Sequence, residues 1–196
     1  AQCPANSVNV IVGDNGSGKT TLLQLLMRFI KPQSGKILID GQDISQCSIQ
    51  SLRSHIALVS QDVALSHGSI YENIAYGRPE TSKEEVIDAA KRAGADRFIR
   101  TLDKGYDSQV GDNGVLLSAG QRQKISLARA LLLDCQVIIF DEPTSYADSQ
   151  GRDEFTALVK NQLAKHTVIV VTHDHALADV ADTVYKIEQR KVVKAA

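Results

Sequence analysis

Gly13-Asp-Asn-Gly-Ser-Gly-Lys19-Thr20 matches the pattern Gly-x-x-x-x-Gly-Lys-Thr of a phosphate-binding loop. The flanks supply what such a loop needs. Val8-Asn-Val-Ile-Val12 reads as a buried strand before it, and Thr21-Leu-Leu-Gln-Leu-Leu-Met-Arg-Phe-Ile30 as a helix after it. Glycines let successive backbone N–H groups turn inward around a phosphate, and the helix N-terminus adds partial positive charge. Lys19 can reach the β- and γ-phosphates, the Thr20 hydroxyl can ligate Mg²⁺, and Asp14, Asn15, Gly16, Ser17, Gly18 and Thr21 complete the cradle. The stretch predicts binding of a nucleoside triphosphate.

The rest of the composition narrows the class. A chain of 196 residues with 43% hydrophobic and 23% charged residues has the makeup of a soluble globular domain. A net charge of −1 makes no electrostatic case for nucleic acid or anionic lipid. No apolar run approaches the roughly 18 residues of a transmembrane helix, and no signal-peptide pattern opens the chain. Cys3, Cys47 and Cys135 are widely spaced, which predicts reduced thiols rather than a disulfide framework. Of the histidines, only His173 and His175 are close together, at a spacing that does not suit one helix face for a metal.

Along the chain, Lys36–Asp40 with Gly41 suggests a short strand and turn. Ile49–Arg53 suggests a helical turn, and His55–Val59 a buried strand. From about Asp62 to Leu116 the strand pattern stops. Thr81-Ser82 before Glu84-Glu85 reads as a capping box, and Gly94 as the end of that helix. A long helix over Ala119–Leu133 follows. Then come the apolar strand Val137–Phe140 ending in Asp141-Glu142, a helix near Gln150–Ala164, and the strand Thr167–Val171 ending at Thr172-His173. Alternating strands and helices predict an α/β fold: a P-loop NTPase core with a mostly parallel sheet and an inserted helical lobe. The expected division is 1–61 for the first part of the core, 62–116 for the helical lobe and 117–196 for the second part of the core. Loop, acidic pair and histidine all fall at strand C-termini, where open α/β sheets bind ligands.

Asp141 is placed to hold Mg²⁺, and Glu142 to act as general base toward an attacking water. Taken alone, the pair is equally a strand that ends in two acids. Leu117-Ser-Ala-Gly-Gln121 can form a second anion-binding nest, although in isolation it reads as a Ser N-cap.

Together these segments resemble the nucleotide-binding domain of ABC transporters. The family signature Leu-Ser-Gly-Gly-Gln is matched by Leu117 to Gln121 except at Ala119, and the continuation Gln121-Arg-Gln-Lys-Ile-Ser-Leu-Ala-Arg-Ala-Leu131 is also similar. Asp141-Glu142 resembles the Walker B pair, Ser145-Tyr-Ala-Asp148 the D-loop, Gln61 the Q-loop glutamine and His173 the switch histidine. The order holds from about Val8 to Ile187. Ser69-Ile-Tyr-Glu-Asn-Ile74 and Val110-Gly-Asp-Asn-Gly-Val-Leu-Leu-Ser118 look like exporter-type domains, which are normally fused behind a membrane-spanning half.

The resemblance implies a mechanism. Two copies, or a copy and a homologous ATPase domain, would pair head to tail around two ATP molecules. Each ATP would lie on the Lys19 loop of one copy and against Ser118, Ala119, Gly120 and Gln121 of the other. Thr20, Asp141 and Gln61 would position Mg²⁺ and water, Glu142 would polarise the water, His173 would contact the γ-phosphate, and Asp148 would bridge the interface. His175 reads as a bystander. The lobe near Gln61–Tyr76 would meet the membrane domain at the cytoplasmic face of the cell membrane. Ala119 stands where the family has glycine, so either its Cβ crowds the partner's nucleotide or its backbone needs a positive φ. The family's adenine-stacking aromatic has no counterpart in residues 1–12, so an N-terminally truncated domain with weak base discrimination is expected. Two rivals remain: a soluble ABC-type ATPase working on ribosomes or DNA, and an assembly module that holds ATP without turnover.

Overall fold

A computed structural model of the chain describes residues 1–145 and 148–195. Its core is a six-stranded sheet. In chain order the elements are β1 (Val8–Val12), α1 (Lys19–Leu26), β2 (Leu38–Ile39), β3 (Gln42–Asp43), α2 (Ile49–His55), β4 (Ile56–Val59), α3 (Ile70–Ala75), α4 (Lys83–Arg92), α5 (Asp96–Ile99), α6 (Ala119–Leu132), β5 (Val137–Asp141), α7 (Ser149–Gln162), β6 (Thr167–Thr172), β7 (Thr183–Glu188) and β8 (Lys191–Lys194). The strand order is β4-β5-β6-β1-β7-β8. Strands β4 through β7 pair in parallel, and β8 returns antiparallel on β7. The expected α/β architecture is therefore present.

The strands read as continuous apolar runs because both faces of the sheet are covered. Val10 and Val12 of β1, Ile138 and Phe140 of β5, and Val168 and Val170 of β6 face one core, which they share with α3, α4, α6 and α7. The intervening Ile11, Ile139, Ile169 and Val171 face a second core with Leu23 and Met27 after the loop and Leu52 of α2. Each fully buried branched side chain is worth about 1.5–3 kcal/mol relative to exposure. A one-residue slip of any strand would exchange its two cores, so the register is strongly fixed.

The lobe is helical and locally well specified. Ser69–Glu72 and Ser82–Glu85 each form a capping box, and Gly94, at φ 68°, closes α4. Helix α6 lies against α3 and α4 on one side and reaches β4 on the other. It thus links the lobe to the sheet.

Three readings need correction. The helix after the loop stops at Leu26, not Ile30, because Arg28 takes a left-handed φ of 53°. The Arg28 guanidinium donates to the carbonyls of Ile44, at 2.7 Å, and Cys47, at 2.6 Å, which holds that turn. Phe29 is left 59% exposed beneath the Arg53 guanidinium. The Lys36–Asp40 strand shrinks to β2, a two-residue partner of β3. Strands β7 and β8 add to the sheet beyond the strands the sequence predicts.

Candidate functional site

The strand order brings the site together. β1 sits between β6 and β7, with Val12 opposite Thr172, and β5 flanks β6, with Asp141 opposite Val171. The C-terminal ends of β5, β6 and β1 are thus neighbours at one edge. Gly13 continues from β1, and its N–H donates to the Thr172 carbonyl at 3.0 Å.

The loop geometry explains its glycines. At Gly13 the need is steric: an added Cβ would lie 2.5 Å from Ser17 Oγ and 3.2 Å from Ile187 Cβ. At Gly18, which precedes α1, it is conformational, with φ 111°. Gly18 supplies no side-chain cap, so the first N–H groups of α1 stay available to an anion. Asp14, Asn15, Gly16, Thr20 and Thr21 are exposed, and Ser17 is half-buried with its hydroxyl oxygen buried and unpartnered. A cradle that excludes a Cβ, an uncapped helix start and an unused buried hydroxyl fit a phosphate chain.

Lys19 is buried against this loop. Its ammonium donates to the carbonyls of Gly13, at 2.5 Å, and Asp14, at 3.1 Å. It also lies 3.3 Å from Glu142 Oε1 in an ion pair with both side chains only 10% exposed. Glu142 has a left-handed φ of 50°, and its N–H is fixed to the Val171 carbonyl at 2.9 Å. That turn directs the carboxylate back over the end of β6. There Oε2 accepts from His173 Nδ1 at 2.8 Å, Thr172 Oγ1 at 3.1 Å, His173 N–H at 3.3 Å and Ser145 Oγ at 3.3 Å.

These contacts set the charge. Burial pushes the Glu142 carboxyl up, but the hydrogen bonds from the His173 N–H and ring, then from Lys19 and Thr172, outweigh it and hold the group below its ordinary value. Asp141, next to it, moves the other way: burial and the charge of Glu142 raise it against the pull of Lys19. A carboxylate destabilised by desolvation and a like charge is one that a divalent cation would relieve. Of the residues expected to hold Mg²⁺, Asp141 is half-buried at the end of β5, Thr20 is exposed in the first turn of α1, and Gln61 is half-buried just beyond β4. Among the described residues no three His, Cys, Asp or Glu side chains cluster to hold a metal by themselves.

Lys19, Asp141, Glu142 and His173 therefore converge; the signature forms the start of α6. Ser118 caps α6: its hydroxyl accepts from Gln121 N–H at 3.2 Å, and the Gln121 side chain accepts from Ser118 N–H at 2.9 Å. Ala119 is helical, so of the two alternatives for it the positive φ is ruled out; the first turn of α6 has ordinary helical angles. Nothing lies within 4 Å of a Cβ placed on Gly120. Asp148 caps α7 by accepting from Gly151 N–H at 2.8 Å. Tyr146 and Ala147 of the D-loop stretch lie outside the described residues. Val115 and Leu116, just before the signature, are 72% and 68% exposed. Thr172 is a site residue that the sequence reading did not single out.

A family model described as "ABC transporter" matches residues 1–145. The chain belongs to the ABC transporter family. The ATP-dependent lipid A-core flippase of Legionella pneumophila (strain Paris) is 44% identical over 184 residues, covering 94% of this chain and 31% of the flippase. ABC transporter B family member 14 of Arabidopsis thaliana is 42% identical over 184 residues, covering 94% of this chain and 15% of that protein. Among solved structures, a bacterial Atm1-family ABC exporter with ATP bound superimposes with a TM-score of 0.89 at 38% identity, over 97% of this chain and 34% of that one. The chain spans about a third of the length of the flippases it matches. It is an ATP-binding ATPase domain of this family. Among the described residues no helix is long and apolar enough to cross a membrane.

Proposed function

We propose that the chain hydrolyses ATP as one half of a head-to-tail pair and thereby drives a membrane-spanning exporter part at the cytoplasmic face of the membrane. The observation that carries this reading is the convergence of Lys19, Thr172 and His173 on one buried carboxylate, Glu142, beside the phosphate loop. A buried acid at a strand C-terminus beside the phosphate loop, oriented by a histidine, is placed to activate a water.

The loop and α1 bind the β- and γ-phosphates through backbone N–H groups, with Lys19 turning from the Gly13 and Asp14 carbonyls to the phosphate oxygens. That turn withdraws a cation from Glu142, so the carboxylate becomes a better base at the moment substrate arrives. His173 orients the carboxylate and faces the γ-phosphate. Thr20, Asp141 and Gln61 would hold Mg²⁺, which would supply neutralisation of charge on the phosphoryl oxygens. Ser118, Gly120 and Gln121 serve the partner's nucleotide. In this chain Ser118 and Gln121 bond to each other, at the exposed start of α6. Asp148 lies at the interface. Of the relatives named above, the flippase's name gives a cargo, lipid A-core, and the other two names give none.

The test is phosphate release from Mg²⁺-ATP by the purified chain. Turnover that disappears on chelation with EDTA and returns with Mg²⁺ is the expected result. Tight ATP binding with no Mg²⁺-dependent phosphate release would leave a nucleotide-holding module instead.

A further inference from the structure

The Thr172 side chain is fully buried at the end of β6, and three parts of the site meet on this one residue. Its carbonyl accepts from Gly13 N–H at 3.0 Å, which fixes the start of the phosphate loop. Its hydroxyl donates to Glu142 Oε2 at 3.1 Å and accepts from Asp174 N–H at 3.0 Å. The last bond shapes the turn that carries His173, whose ring and N–H bind the same carboxylate oxygen. Asp174 is tied in turn to Thr144 Oγ1, at 3.4 Å, and to Ala176 N–H, at 3.0 Å.

We infer that Thr172 is a positioning residue, whose hydroxyl fixes the orientation of the Glu142 carboxylate and couples it to the His173 turn. The inference rests on Glu142 being the base. The β-branched side chain has restricted χ1 freedom, and a hydroxyl that both donates and accepts ties two neighbours at once. The loop contact uses the carbonyl and not the hydroxyl. Removing the hydroxyl therefore leaves the phosphate cradle anchored while releasing the carboxylate from one of its holds. A misplacement of reacting groups by about 1 Å can cost roughly 10²-fold in rate.

Thr172→Val removes the hydroxyl at nearly constant volume, and Thr172→Ser keeps it. The expected result for Thr172→Val is a kcat about 10- to 100-fold lower with KM for Mg²⁺-ATP within about twofold of the parent. Thr172→Ser should restore most of the rate. A crystal structure of nucleotide-free Thr172→Val should show the Glu142 carboxylate turned from its present orientation. In a Glu142→Gln background the added Thr172→Val change should have no further effect on residual turnover.

Parent-like kcat in Thr172→Val, with Glu142→Gln inactive, would overturn the role of Thr172 while leaving Glu142 as the base. A rise in KM with kcat unchanged, or equal losses in the Val and Ser variants, would also overturn it, by showing a structural role. If Glu142→Gln itself retained turnover, the reading of the base would fail first.

Discussion

Glu142→Gln retains ATP binding and lowers steady-state hydrolysis by about 10²- to 10⁴-fold, the contribution expected of a general base. The amide has the same volume and tolerates the same left-handed backbone, so the turn after β5 is preserved. It cannot accept the proton of an attacking water. It also cannot present two acceptor oxygens, one to Lys19 and one to His173 and Thr172, as the carboxylate does. One of those donors is therefore left facing an NH₂ group, and the nucleotide-free protein should lose a little stability. Calorimetric ATP affinity within a fewfold of the parent, together with phosphate release slowed by the stated factor, is the expected pair of results. Hydrolysis within about threefold of the parent would show that another group activates the water.

Lys19→Ala acts on the other side of the same ion pair and should be visible in affinity. A charge-assisted hydrogen bond is worth about 1.5–3 kcal/mol, so ATP binding should weaken roughly 10- to 150-fold. AMP, which lacks the phosphates that Lys19 reaches, should bind no differently to the two proteins. Titration calorimetry with ATP and AMP checks this, and equal ATP affinity in the variant would exclude Lys19 from phosphate recognition. The substitution also leaves Glu142 without its buried cation, although the His173 and Thr172 contacts remain. A stability loss smaller than that of a wholly unpaired buried charge follows.

Much of this architecture was legible because the decisive strands are buried on both faces. Val137–Phe140 and Thr167–Val171 needed no alternation to be read, only apolar runs bounded by polar ends. The hairpin of β7 and β8 carries no turn signal in the sequence, for a local reason. Its turn residues, Gln189 and Arg190, sit at φ 48° and 62°, positions where glycine or asparagine usually announces a hairpin. Apolar spacing continues through Phe29 and Ile30 past the end of α1, whereas the chain turns at Arg28, at φ 53°, and the Arg28 guanidinium holds that turn to the distant Ile44 and Cys47 carbonyls.

The candidate site divides along the same line. Lys19, Asp141, Glu142 and His173 stand out as polar residues where apolar strands or a glycine loop end. Thr172 does not, since a threonine closing a Val-rich strand is an ordinary strand former. Only the pairing of Val12 with Thr172 and of Asp141 with Val171 reveals that its hydroxyl faces the carboxylate. The serine of the signature carried two meanings. As a helix cap it satisfies its own chain, and its proposed service to a partner's nucleotide lies outside anything one chain can display.

The central claim, that the loop of one copy and the signature of another make one site, is tested most directly by mixing two inactive variants. Lys19→Ala disables the loop and leaves the signature intact. Gly120→Asp places a negative charge at the start of α6, where open space around Gly120 lets the single chain fold unchanged. Neither variant alone can assemble a complete site. A mixed pair has one site with both defects and one with none, so random pairing should restore roughly a quarter of the parental phosphate release. A mixture that hydrolyses ATP no faster than the average of its two components would contradict the account.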